Sequence, residues 1–208
     1  MTSREQILQR LKHAPRPYAD FRQEQNRHDM VPTDHTDLYR LFVEQAQKLN
    51  CSVHECRSTD EALQQILAIM GEDKTVLSWD ALPLPGLAEA LQQAGIQTAP
   101  ANDPHVRVGI TGVDAALAGT GSLVLASKPG QSRLVSLLPF VHVAVVKSDQ
   151  ILPNFEAWAE QTKKAGFDQF RATSNVLVIS GPSRTADIAM ELVLGAHGPA
   201  ELHILILP

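Results

Sequence analysis

Cysteine is nearly absent: 208 residues contain two, Cys51 and Cys56. A structural zinc or a four-iron cluster takes about four ligands, which these thiols cannot supply alone. His54 lies between them, so a Cys-His-Cys metal set has to be weighed. Yet Ser52-Val53-His54-Glu55-Cys56 alternates as a strand does, placing His54 and Cys56 on one face and Cys51 in the preceding turn. The residues read as two unrelated thiols in a reducing compartment, with no metal site. An excess of basic residues is also missing. Eighteen Lys and Arg against 23 Asp and Glu leave a net charge of −5 with no basic patch, which argues against a nucleic-acid partner. No stretch approaches the ~18 apolar residues of a spanning helix. The first residues, MTSREQILQRLK, lack the apolar core of a signal peptide. The expectation is a soluble, cytoplasmic protein without a membrane span. Internal repeats and low-complexity tracts are absent too.

What is present is an alternating α/β pattern behind an N-terminal arm. Ser3-x-x-Gln6 is a capping box that opens a short helix to about Lys12. Residues 14–35, with Pro15, Pro17 and Pro32, read as an extended segment, so residues 1–35 form an arm and 36–208 one domain. From Asp37 the order is helix to Asn50, strand Ser52–Cys56, helix to Met70 opened by the box Ser58-x-x-Glu61, strand Thr75–Ser78, helix Leu87–Ala94 and strand Ile96–Thr98. Such alternation predicts a mostly parallel sheet with helices on both faces.

The central region predicts a strand over 106–111, a short helix over Gly112–Ala118 with Asp114 in its first turn, and a strand over 123–126. Between the last two lies Ala118-Gly119-Thr120-Gly121-Ser122. Glycines flanking a hydroxyl allow close backbone approach and free N–H groups, which makes Thr120, Gly121 and Ser122 candidates for holding an anion. Arg133, Ser136 and His142 follow on or beside loops of the sheet, where the carboxyl ends of parallel strands carry ligands. Near the C-terminus Val176–Ile179 reads as a buried strand. Ser183 sits at a helix N-cap, Ile188, Leu192 and Val193 form an apolar stripe, Gly195 stops the helix, and Leu202–Leu207 is a second strand. The unit reads as right-handed βαβ. Its loop supplies Ser180, Gly181, Ser183, Arg184 and Thr185 as anion-binding candidates, with His197 after the helix. Each has a plainer reading. Ser183 only caps, Arg184 is solvated, His142 is a strand histidine bonded within the fold, and His197 is a polar turn residue. No nucleophile–base spacing names a reaction, so the catalytic residues are unknown. The Gly121 and Ser183–Arg184 loops are expected to face one pocket.

Four runs carry a resemblance: Gly109-Ile110-Thr111-Gly112-Val113-Asp114-Ala115-Ala116-Leu117-Ala118-x-Thr120-Gly121, Ser136-Leu137-Leu138-Pro139-x-x-His142, Ser180-Gly181-Pro182-Ser183-Arg184-Thr185-Ala186-Asp187-Ile188, and Leu194-Gly195-x-His197-Gly198-Pro199 with Leu202-His203 beyond. In this order and spacing the chain resembles the lactate-utilization (LUD) domain family of the LutC/YkgG type. The resemblance implies a fold similar to the NagB/RpiA/CoA-transferase group. It also implies a place in a system that oxidises L-lactate to pyruvate, in which partner proteins carry the iron–sulfur clusters. This chain would then be an accessory, non-redox subunit with no cofactor of its own. The alternative is a stand-alone enzyme or binding protein for a small phosphorylated or carboxylated metabolite. One departure stands out: the family usually reads Ala-Glu-Thr-Gly-Thr where this chain has Ala118-Gly119-Thr120-Gly121-Ser122, so a carboxylate is missing at Gly119.

Overall fold

The computed structural model describes residues 3–13, 34–166, 171–186 and 192–208. Two units are distinguished, residues 1–30 and 31–208. Helix α1 (Ser3–His13) is the described part of the first, and the expected extended segment falls mainly on 14–33, outside the described residues.

The second unit is built on six strands: β1 (Ser52–Glu55), β2 (Thr75–Ser78), β3 (Gln97–Thr98), β4 (Val108–Thr111), β7 (Val141–Lys147) and β12 (Glu201–Leu207). They lie in the order β1-β12-β7-β4-β2-β3, and every pairing is parallel. Val141–Val146 is buried at every position, as a strand covered on both faces must be. One face, through Val141, Val143, Val145 and Leu205, packs on α3 (Thr59–Met70) and α4 (Leu87–Gln93). The other, through Ala144, Val146, Ile204 and Ile206, packs on Leu38, Phe42 and Ala46 of α2 (His35–Lys48) and on a second sheet. Leu38, Phe42 and Ala46 recur every four residues, so one stripe of α2 is buried; Phe42 alone contributes about 1.5–3 kcal/mol. Asp34 starts that helix by accepting from the Thr36 and Asp37 N–H groups, and Ser58 starts α3 by accepting from the Glu61 N–H.

The second sheet has the order β8-β5-β6-β9, comprising β8 (Ile151–Leu152), β5 (Ala115–Leu117), β6 (Ser122–Ser127) and β9 (Asn175–Ile179). Two expectations are corrected here. Ala115–Leu117 is a strand, not part of a helix. Asp114 does not sit in a first helical turn: its carboxylate accepts from the Ala126 N–H at 2.6 Å and from Lys128 Nζ at 2.8 Å, tying β5 to the far end of β6. The C-terminal unit is not βαβ either, because β9 runs antiparallel to β6 in the second sheet while β12 enters the first. Where a helix start was expected at Ser183, the chain is extended and forms a hairpin of β10 (Arg184–Ala186) with β11 (Leu192–Leu194). Residues 187–191, with Asp187 and Ile188 of the expected helix, lie outside the described residues.

Cys51 packs on the α2 side of the sheet and Cys56 on the α3 side, both as free thiols, in keeping with the strand alternation. Burial pushes the Cys51 thiol up to about 11 and raises that of Cys56. Among the described residues no helix is long and apolar enough to cross a membrane, and no three His, Cys, Asp or Glu side chains cluster as metal ligands.

Candidate functional site

The site starts from one row across the parallel sheet. Gly109 of β4, His142 of β7 and Leu202 of β12 are register partners, in a row that faces the α2 side of the sheet. Gly109 offers no side chain, so the short helix α5 (Leu134–Leu137) settles directly on the strand. A Cβ at this position would overlap the Val135 carbonyl oxygen. Beside that gap the His142 imidazole is 1% exposed. Its Nε2 lies 2.8 Å from Oγ1 of Thr111, two residues further along β4 on the same face. Its Nδ1 has no hydrogen-bond partner among the described residues. Burial holds the imidazole neutral, its pKa pulled down to about 3.

His142 lines a cavity of about 230 Å³. Leu202 shares its floor, Ser136 and Leu137 of α5 form one wall, and Val178 and Ile179 of β9 another. Ser180-Gly181-Pro182-Ser183 and His197-Gly198-Pro199 border it on the remaining sides. Ser180 and His197 are exposed, so solvent reaches these borders. The Ser183 N–H donates to the Pro199 carbonyl at 2.8 Å and its carbonyl accepts from the Gly195 N–H at 3.0 Å, which clips the two border loops together. His142 and Leu202 are each the second residue of their strands, so the cavity lies at the amino ends of β7 and β12, not at the carboxyl ends expected for a parallel sheet. At a carboxyl end, that of β2, there is instead a cleft of about 380 Å³ lined by Ser78, Trp79 and Asp80, with Glu89 and Thr98.

The candidates from sequence therefore divide. His142, Ser180, Gly181, Ser183 and His197 meet at the cavity. Thr120, Gly121 and Ser122 do not line it. Thr120 is exposed at the tip of the β5–β6 turn, and the Ser122 Oγ lies 2.8 Å from the Ser180 Oγ, joining the two hydroxyl loops behind the site. The freedom of Gly121 serves packing: its φ is 66°, and a Cβ there would overlap the backbone of Gln45 and Ala46 in α2. Gly181, with φ 88°, presses in the same way on Leu49, which ends that helix. The two loops thus converge on the last turn of α2, not on one pocket.

Arg133 is exposed outside the cavity, and its carbonyl accepts from the Ser136 hydroxyl at 2.9 Å. Thr185 lies in β10 opposite Val193. Arg184 is not held for a ligand: its guanidinium donates to the Leu49 carbonyl, capping the negative end of α2. Arg184→Ala is therefore expected to lower stability by about 1 kcal/mol and leave small-acid binding unchanged. Urea denaturation and a binding titration on the same protein check this, and an unchanged midpoint with weakened binding would reverse the assignment. Gly119 is exposed, donates its N–H to the Pro153 carbonyl at 2.9 Å and stays out of the cavity lining. The missing family carboxylate therefore removes nothing from the cavity lining. Sequence reasoning missed Thr111 and Gly109. The available signal was polarity and size, a hydroxyl and a glycine in a strand otherwise bound for the core.

A family model described as the LUD domain matches residues 39–207. The chain belongs to the LUD domain family. Every residue named around the cavity lies inside this match. Among relatives, the chain is 28% identical to a protein named Lactate utilization protein C from Exiguobacterium sp., over 97% of this chain and 94% of that one. It is 29% identical to the protein of that name from Bacillus subtilis, over 83% of this chain and 70% of the relative, and 29% identical to the uncharacterized protein YkgG of Escherichia coli, over 82% and 78%. A solved structure of a DUF162 family protein from Deinococcus radiodurans superposes with a TM-score of 0.66 at 19% identity, covering 85% of this chain and all of that one. That likeness is one of fold.

Proposed function

We propose that this LUD protein is a component of L-lactate utilization, serving the oxidation of lactate to pyruvate as an accessory, non-redox subunit beside partners that carry iron–sulfur clusters. The observation that carries the reading is the nearly end-to-end similarity to a Lactate utilization protein C, over 97% of one chain and 94% of the other. The placement of the thiols supports assigning the clusters to partners. Cys51 and Cys56 are buried on opposite faces of the sheet, where they cannot join in one ligand set.

The test is capture of the tagged full chain from cells grown on L-lactate, assayed for iron and for lactate-dependent dye reduction. Co-purification of iron–sulfur proteins with activity is the expected result. Recovery of the chain alone and inert, together with unimpaired lactate growth of a strain lacking it and any paralogue, would refute the role. A second reading, a stand-alone enzyme or binding protein for a small acid, is favoured by one feature: the Nδ1 of His142, a residue that lines the cavity, has no partner among the described residues. Turnover by the isolated chain would select it.

A further inference from the structure

We infer that the cavity bordered by Ser180–Ser183 is a binding site for a small acid of single negative charge, one of whose oxygens accepts a hydrogen bond from the Nδ1–H of His142. The direction of that bond follows from counting protons. Thr111 Oγ1 is fully buried, and His142 is its side-chain partner among the described hydrogen bonds. If Nε2–H donated to the threonine, the hydroxyl proton and the Nδ1 lone pair would both be left without partners. If the hydroxyl donates to Nε2, the Nδ1–H and the hydroxyl lone pairs are left instead, and the unmet donor then sits on His142, which lines the cavity, and not on Thr111, which does not. Buried donors are rarely left orphaned, so the second arrangement prevails and asks for an acceptor.

Charge and size narrow what brings that acceptor. Among the described residues no Lys or Arg lines the cavity: Arg184 is bound to Leu49, and Arg133 lies outside. A phosphate monoester, with close to two negative charges, would be desolvated there without a fixed cation. A carboxylate needs less compensation, and a neutral imidazole donor with the Ser180 and Ser183 hydroxyls at the border suits it. The volume of about 230 Å³ lies below the ~300–1,000 Å³ of sites for drug-sized ligands, which points to an acid of few atoms. Ile179 and Leu202 give its carbon skeleton an apolar lining. Choosing a monocarboxylic acid among small acceptors rests on the proposed role in lactate utilization; the existence of the site does not.

The experiment is a titration of the purified full chain, labelled with ¹⁵N-histidine, followed by NMR of the His142 ring. L-Lactate, pyruvate and acetate are compared with inorganic phosphate and glucose 6-phosphate. The free protein should show the Nδ1–H tautomer. The monocarboxylates should shift that signal saturably, and the phosphates should not. His142→Gln keeps a polar partner for Thr111 but removes the Nδ1 donor, and should weaken binding about tenfold or more. Thr111→Val should abolish the tautomer preference, which a merely structural role for the hydroxyl would not do. Should His142→Gln fail to fold, the wild-type ring signal and Thr111→Val decide alone. An Nε2–H tautomer, phosphate binding as tight as that of the acids, or no saturable shift with any acid would overturn the inference. A failed titration alongside successful capture of iron–sulfur partners leaves the role intact and removes the site. Binding alongside an empty capture does the reverse.

Discussion

Gly109→Ala should destabilise the protein by about 3 kcal/mol, as overpacking against a backbone that cannot yield. The new methyl would overlap the Val135 carbonyl oxygen and stand 2.7 Å from Pro139 Cγ. Neither neighbour is the free end of a flexible side chain. Val135 belongs to α5, whose Ser136 and Leu137 wall the cavity, and β4 is held between β7 and β2 at the centre of the sheet. Relief therefore requires α5 to lift, which opens the wall beside His142. Alanine would restrict the unfolded chain and so return up to about 1 kcal/mol, an offset too small to change the sign. Gly95→Ala is the control. Its φ is 70° and nothing lies within 4 Å of a Cβ there, so only backbone strain of about 1–2 kcal/mol is expected. Urea denaturation of both variants, with the m-value checked for constancy, measures the difference. A Gly109→Ala protein within 1 kcal/mol of wild type would mean that α5 is not seated on the strand as described. The His142 ring signal should move in Gly109→Ala and stay put in Gly95→Ala.

The same residue shows what the sequence could and could not reveal. Gly109 and Thr111 were visible as members of a strand, because Val106-Arg107-Val108-Gly109-Ile110-Thr111 is rich in β-branched residues. Their importance depends on α5 and His142, which arrive about 25 and 31 positions later and leave no local mark on the strand. The main-sheet strands and the long helices were legible for the same reason in reverse: buried runs such as Val143–Val146, and capping residues such as Ser58, are local signals. The second sheet was only partly legible. β5 and β8 span three and two residues, too short for a period to show, and Asp114 looks like a helix-start acid until its partners on β6 are known. Leu192-Val193-Leu194 satisfies a helical stripe and a strand equally well, and tertiary context decided for the hairpin.

The glycine and hydroxyl loops were identified by composition as places of close backbone approach. That approach is real, but at Gly121 and Gly181 its object is α2, which lies far upstream in the chain. Composition reports that room is needed; it does not say for what. His142, Ser180, Ser183 and His197 come together at one cavity because they flank chain turns that the sheet brings to one end.

Acid should destabilise the wild-type protein more steeply than His142→Gln. In the folded state the imidazole protonates only near 3, held down by burial, whereas in the unfolded chain it protonates near its ordinary value of about 6.5. Above that value both states are neutral and the residue contributes no pH dependence. As pH falls below it the unfolded state takes up a proton that the folded state refuses, so stability is lost at up to about 1.4 kcal/mol per pH unit, down toward pH 3. Between pH 7 and pH 5 the wild type should lose up to about 2 kcal/mol more than the variant. His54 is also held low, by burial and then by His203 stacked on it with ring centroids 5.3 Å apart, and it acts with the same sign. It is common to both proteins, as are the surface carboxylates, so these contributions cancel in the comparison. Parallel losses of stability would mean that water in the cavity solvates the imidazolium well enough for it to form in the folded state. The unmatched Nδ1–H would then be a solvent-facing group, and the case for a ligand acceptor at that atom would fall with it.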